Sequence, residues 1–200
     1  MGNLESIQLS EASGFHMHTV HKFPNTKRPV PHVEQPVTAT KDTTYSVSFL
    51  GPQTITAAQT SFDAQPHYTF ESRSDFERFQ ETVFDQQLLF IAGVSEIKSK
   101  GRGEECISQN LRLLRAKNGR QTLLYFANSQ KKEKKRYVSL PLDSIDRMNQ
   151  APKPGKPATL RLRPNTDQLT QLKTVYITFL DDIDQKTFWA LLCAGVGSAS

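Results

Sequence analysis

The stretch from Leu111 to Leu140, LRLLRAKNGRQTLLYFANSQKKEKKRYVSL, constrains the fold of this chain more than any other. Two runs of apolar and polar residues flank Asn118-Gly119, and a third run follows a strongly basic connection. Asn-Gly between such runs is the strongest short-range hairpin signal, and it predicts a type I′ turn with φ above zero at both residues. The connection itself, residues 131–136, carries six charged side chains, five of them basic.

Strand patterns continue on both sides, at about 88–98, 105–115, 121–128 and 135–141. A Pro/Lys/Gly connector (Ala151 to Pro157) precedes two further runs, Thr159–Arg163 and Leu172–Leu180. Strands in series without a long helical crossover imply an antiparallel meander, because parallel pairing needs such a crossover. A helix closes the chain. Asp182 and Gln185 have capping-box spacing, Phe188 and Leu192 lie four apart with Trp189 beside them, and Gly195 is placed to stop the helix.

Residues 1–42 read as a disordered tail, punctuated by Pro24, Pro29, Pro31 and Pro36. Residues 43–86 read as a strand-helix segment. Tyr45, Val47 and Phe49 alternate with serines up to Gly51-Pro52, and Thr54–Ala58 and His67–Glu71 are further strand candidates. Ser74 and Glu77 form a capping box, and Phe76, Phe79, Val83 and Phe84 share one face of a helix over 74–85. Residues 87–196 then form the main body, mainly β in an α+β arrangement, and 197–200 a disordered end.

Leu111-Arg-Leu-Leu-Arg, the Asn118-Gly119 turn, Leu123-Leu-Tyr-Phe and Val138-Ser-Leu-Pro-Leu resemble the second to fourth strands of pleckstrin-homology (PH) domains. Val175-Tyr-Ile-Thr-Phe followed by Phe188-Trp189-Ala-Leu-Leu resembles the last strand and closing helix of that family, with its characteristic tryptophan. The resemblance covers roughly 88–194 and implies a bent antiparallel barrel of seven strands, plugged at one end by the helix. Six strands are visible here, so the seventh is short, hidden near 143–150, or supplied from the earlier segment. Tyr68-Thr-Phe, Ser74 to Phe79 and Val83 also resemble a closing strand and helix, so 43–86 is either a partial PH-like unit or an extension of the barrel. Composition and element order further resemble those of a group of fungal proteins.

Charge is unevenly spread: residues 1–42 balance to zero, 43–86 sum to −4 and 87–200 to +9. An anionic partner is therefore sought in the last part: phosphoinositide, anionic bilayer, acidic protein or nucleic acid. In a meander every second connection lies at the same end of the sheet. The connections around 98–104 and 129–134 thus share the end opposite Asn118-Gly119. This places Lys98, Lys100 and Arg102 near Lys131, Lys132, Lys134, Lys135 and Arg136, against Glu104, Glu105 and Glu133. PH domains that bind phosphoinositides resemble this in carrying cations at the end of the first strand. Their basic residue early in the second strand is missing, because Glu105, Cys106 and Ile107 stand there. Diffuse attraction to anionic lipid, phosphoinositide or phosphatidylserine, is the reading that follows. A net excess of five cations at about 1 kcal/mol each corresponds to sub-millimolar binding at most. The rival readings are a protein-interaction scaffold without lipid binding and, with less support, nucleic-acid binding, for which exposed aromatics are lacking.

Met1-Gly2-Asn3-Leu4-Glu5-Ser6 fits the N-myristoylation pattern at Gly2, which would give a second weak membrane anchor. His16, His18 and His21, with His32 beyond, lack a fixed frame and are read as chance clustering, not a metal site. Cys106 and Cys193 are too few for a disulfide framework and read as buried small hydrophobes. No P-loop, GxSxG, HExxH or Rossmann fingerprint is present, so the chain reads as non-enzymatic and free of cofactors. Without a signal-peptide core or a run of membrane-spanning length, a cytoplasmic protein, soluble or peripheral at a membrane, is expected.

Overall fold

The computed structural model describes residues 6–9, 19–23, 28–38, 44–57, 59–100, 105–128, 135–148, 153–163 and 173–196, with backbone alone at 6–9 and 195–196. The chain divides into two units, Met1–Glu34 with Thr43–Gln86, and Gln35–Asp42 with Gln87–Ser200.

The first unit contains β1 (Ser6–Leu9), β2 (Thr19–Lys22), β3 (His32–Val33), β4 (Tyr45–Ser48), β5 (Gln53–Ala57), β6 (Thr60–Ala64), β7 (Tyr68–Phe70) and α1 (Arg73–Phe84). They form two antiparallel sheets, ordered β1-β2-β5-β6 and β3-β4-β7. Parts of the tail expected to be disordered are ordered: within 1–42, residues 6–9, 19–22 and 32–33 pair into sheets, and Phe23 and Val33 are buried. Strands of two to four residues are too short to display a period, and Pro29 and Pro31 stand between strands, where the missing amide costs no ladder bond. Phe23, Phe49 and Val83 form a core with Tyr68 and Phe79 against it. Tyr45 stacks on Phe76 at 4.8 Å between ring centroids.

The start of α1 differs from the expected Ser74/Glu77 box. Ser72 is the cap, its Oγ accepting from the Asp75 amide at 3.2 Å, and Glu77 instead pairs with Arg73 at 2.8 Å. The other end has no basic residue in its last turn, and Arg28 supplies the cation, donating to the carbonyls of Thr82 and Val83 at 3.4 and 3.2 Å.

The second unit contains β8 (Gln87–Lys100), β9 (Cys106–Arg115), β10 (Gln121–Ala127), β11 (Arg136–Pro141), a 3-10 turn (Leu142–Ser144), β12 (Ile145–Met148), β13 (Ala158–Leu162), β14 (Thr174–Phe179) and α2 (Asp182–Val196). One seven-stranded antiparallel sheet runs β11-β10-β9-β8-β14-β13-β12 and curls into a half-barrel. The strand hidden near 143–150 is β12. Pairing of β14 with β8 brings the last strand of the unit beside the first.

The curl has a local cause. Val94 and Ile97 are both fully buried although three residues apart, so β8 loses its alternation at Ser95. Opposite, Ser108 of β9 takes φ 48°, and β14 shifts register at Thr178/Phe179. Three strands bend at one corner. Beyond it, Glu96, Lys98 and Lys100 face outward and Ile97 inward.

The inner face packs Phe90, Ala92, Val94, Ile97, Leu111, Leu113, Leu123, Tyr125, Val138, Leu140, Leu160, Val175 and Ile177 against Phe188 and Leu192 of α2. Phe188 is the central plug, fully buried, with its ring 5.7 Å from Phe90 and 5.1 Å from Phe179. Trp189 is half-buried at the rim. Asp181, not Asp182, caps α2: its Oδ1 accepts from the Ile183 amide at 2.7 Å. Asp182 and Gln185 instead hold the preceding connector, accepting from the Gly155 amide and donating to the Lys156 carbonyl. The helix continues through Gly195 to Val196.

The Asn118-Gly119 turn is also corrected. Of the two, only Gly119 has positive φ, 83°. The Gly119 amide donates to the Ala116 carbonyl and the Ala116 amide to the Arg120 carbonyl, so the loop is a type I turn closed by a glycine bulge. Asn118 serves through its side chain, whose Oδ1 accepts from the Arg120 amide at 3.1 Å.

Residues 35–37 lie against the sheet of this unit. The Val37 amide donates to Asn110 Oδ1 at 2.7 Å, Asn110 Nδ2 to the Gln35 carbonyl at 2.8 Å, and the Gly93 amide to the Val37 carbonyl. A Cβ on Gly93 would stand 2.9 Å from the Val37 oxygen, so only glycine permits this approach.

Candidate functional site

Strand registers decide which basic residues come together. Ile97 pairs with Cys106, Arg115 with Gln121, and Ala127 with Arg136, so the end of β8, the start of β9, the end of β10 and the start of β11 lie at one end of the sheet. Asn128 fastens this end. Its amide donates to the Glu105 carbonyl at 3.1 Å, its Oδ1 accepts from the Ile107 amide at 2.7 Å, and its Nδ2 donates to the Ile107 carbonyl at 2.8 Å.

Of the residues singled out in the sequence, Lys98 and Lys100 sit exposed on the last turn of β8's pleat, and Lys135 and Arg136 sit exposed where β11 begins. Arg102, Lys131, Lys132, Lys134 and Gly2 lie outside the described residues. The first and second pairs are three strands apart, about 14 Å at the usual strand spacing. Among the described residues, the cations at this end are thus spread across the sheet edge as a charged surface.

Lys98 is tied to Glu96 at 2.8 Å on the same face of β8. This hydrogen bond and the charge of Glu96 raise its pKa, so Lys98 stays protonated at physiological pH. The Asn110-to-Ile107 stretch carries no cation, so the early second-strand basic residue of the phosphoinositide pattern is absent from β9. Arg112, further along β9, is buried, with its guanidinium 5.9 Å from the Tyr137 ring centroid. Burial lowers the pKa of Arg112 and raises that of Tyr137.

Sequence order hid a second set of cations. Because β14 lies beside β8, Thr174 is opposite Lys100, and the Lys173 amide reaches the Lys100 carbonyl at 3.4 Å. Arg161 of β13 is opposite Thr174, and Arg147 of β12 is opposite Arg161. Only the pairing of first and last strands could reveal this, and no local pattern announces it.

The thiol of Cys106 is buried and its pKa pushed up to about 12 by desolvation, which removes it as a nucleophile. Cys193 is exposed, contrary to the buried reading, because it faces away from Leu192 and Phe188 on α2. His21 is a core residue of the first unit, its Nδ1 2.8 Å from the Tyr68 hydroxyl and its Nε2 3.4 Å from Gln53 Oε1. Among the described residues, no three His, Cys, Asp or Glu side chains are grouped to hold a metal ion, and no helix is long and apolar enough to cross a membrane. No family model matches the chain, and no curated protein or solved structure matches it.

Proposed function

We propose that the second unit is a non-catalytic, PH-like binding module that docks the end of its sheet formed by β8 to β11 onto anionic membrane lipid. The observation that carries this reading is the strand register, which sets the ends bearing Lys98, Lys100, Lys135 and Arg136 at one edge, with Asn128 tying β9 to β10 between them. In sequence Arg102 follows β8, and Lys131, Lys132 and Lys134 precede Lys135. The antiparallel sheet of seven strands with α2 against its core supports the PH-like comparison.

Charge spread over about 14 Å suits several lipid headgroups at once and not one stereospecific site. Phosphatidylserine and phosphoinositides are then bound according to their charge density. If Gly2 carries a myristoyl chain, the acyl chain and the basic edge act as two weak signals that together hold the protein at the bilayer. Co-sedimentation with phosphatidylserine vesicles at low salt tests the proposal. The wild type should pellet, and Lys131/Lys132/Lys134/Lys135→Ala should remain in the supernatant. Equal and poor pelleting of both leaves the basic edge as a solvated surface and supports the protein-scaffold reading.

A further inference from the structure

Past the corner at Ser95, the outward residues of four adjacent strands form rows across the sheet. One row is Lys100, Thr174, Arg161 and Arg147; the next is Lys98, Tyr176 and Thr159. Lys98, Lys100, Arg147 and Arg161 are exposed, and Tyr176, Thr174 and Thr159 are half-buried among them. Lys173 and Arg163 stand exposed at the ends of the same strands. The acidic residues on these strands are Glu96, beside Lys98, and Asp146, 3.7 Å from Arg147.

Arg147 and Arg161 are cross-strand neighbours. Two like charges directly opposite on a sheet repel, and a short strand can easily carry a neutral or acidic residue in either place. The repulsion is relieved when an anion lies over the pair. Tyr176 adds an amphipathic ring of the kind that settles at the headgroup level of a bilayer. The absence of a second ring in these rows makes the face a poor stacking platform for a nucleic acid strand.

We infer that this outer face of β8, β14, β13 and β12 lies flat on the anionic bilayer, so that the protein docks on its side and the loop edge is only the border of the contact. The inference rests on the lipid reading proposed above and adds its orientation and the residues Arg147, Arg161 and Tyr176. Each cation near an anionic leaflet changes affinity about fivefold, so Arg147→Gln/Arg161→Gln should weaken binding by about 30-fold at low salt.

The test measures vesicle affinity for four full-length proteins, with 30 mol% phosphatidylserine vesicles as the probe: wild type, Arg147→Gln/Arg161→Gln, Lys135→Ala/Arg136→Ala, and Tyr176→Ala. Circular dichroism confirms folding of each, and a single Arg161→Thr variant serves if the double variant misfolds. Removing the repulsion should leave the melting temperature of the arginine variants unchanged or raised. Weakened binding in the arginine and Tyr176 variants supports side-on docking. Undiminished binding in the arginine variants, with loss in Lys135→Ala/Arg136→Ala, overturns it and leaves the edge-on reading intact. No binding by the wild type removes both. Loss of binding to a single-stranded oligonucleotide in the arginine variants, with vesicle binding unchanged, assigns the face to nucleic acid and also overturns it.

Discussion

Phe188→Ala is expected to be the most damaging single truncation in the second unit. The side chain is 0% exposed, and its ring stands 5.7 Å from Phe90 and 5.1 Å from Phe179. Truncating a sealed phenylalanine costs about 3–5 kcal/mol, and each aromatic pair contributes about 0.5–1.5 kcal/mol beyond its buried area. With two such pairs lost, about 4–5 kcal/mol is expected. For a urea m-value of about 1.5 kcal/mol per molar, the midpoint falls by about 3 M. Trp189 is the single tryptophan of the chain and packs at the rim of this core, so its fluorescence follows the unfolding directly. Trp189→Ala, read by circular dichroism, should lose only about 2 kcal/mol because the ring is already half in water. A loss under about 1 kcal/mol for Phe188→Ala would refute the plug. So would a larger loss for Trp189→Ala than for Phe188→Ala.

Gly119→Ala, at φ 83°, should cost about 1–2 kcal/mol, whereas Asn118→Ala forfeits one exposed hydrogen bond and about 0.5 kcal/mol; equal losses in urea melts would restore the type I′ turn. Asn110→Ala removes the acceptor of the buried Val37 amide and the donor to Gln35, costing about 1–3 kcal/mol and speeding amide exchange at Val37; unchanged exchange would contradict the docking of 35–37. Burial holds the His21 pKa below its ordinary 6.5, so protonation favours the unfolded chain. The contribution of neutral His21 to stability is therefore present above its ordinary pKa of about 6.5 and is lost as the pH falls below it. His21→Gln should flatten that slope below about pH 6.5, and an identical slope would remove His21 as its cause.

Legibility followed element length. The long apolar runs of β8 to β11 stand out in the sequence, while β1, β2 and β3 have too few residues to show a period, and prolines between them suggest disorder. The caps failed by one or two positions for a different reason: Ser72 stands near Ser74 and Asp181 beside Asp182, and backbone φ/ψ selects between near-equivalent candidates. In the closing helix, Phe188 and Trp189 are adjacent and equally apolar, so only the phase of α2 tells which faces inward. The shared end of the β8–β9 and β10–β11 connections followed from meander parity. The placement of Arg147 and Arg161 beside Lys100 required the pairing of β14 with β8, which carries no local signature.

The central claim is that clustered positive charge holds the second unit on anionic lipid. Salt titration of wild-type binding tests it most directly, with phosphatidylserine vesicles compared against neutral phosphatidylcholine vesicles. Sub-millimolar affinity for the anionic vesicles is expected at about 50 mM salt, falling at least tenfold by about 300 mM as screening shortens the reach of the charges. Binding that is equal on neutral vesicles, or insensitive to salt, would contradict it.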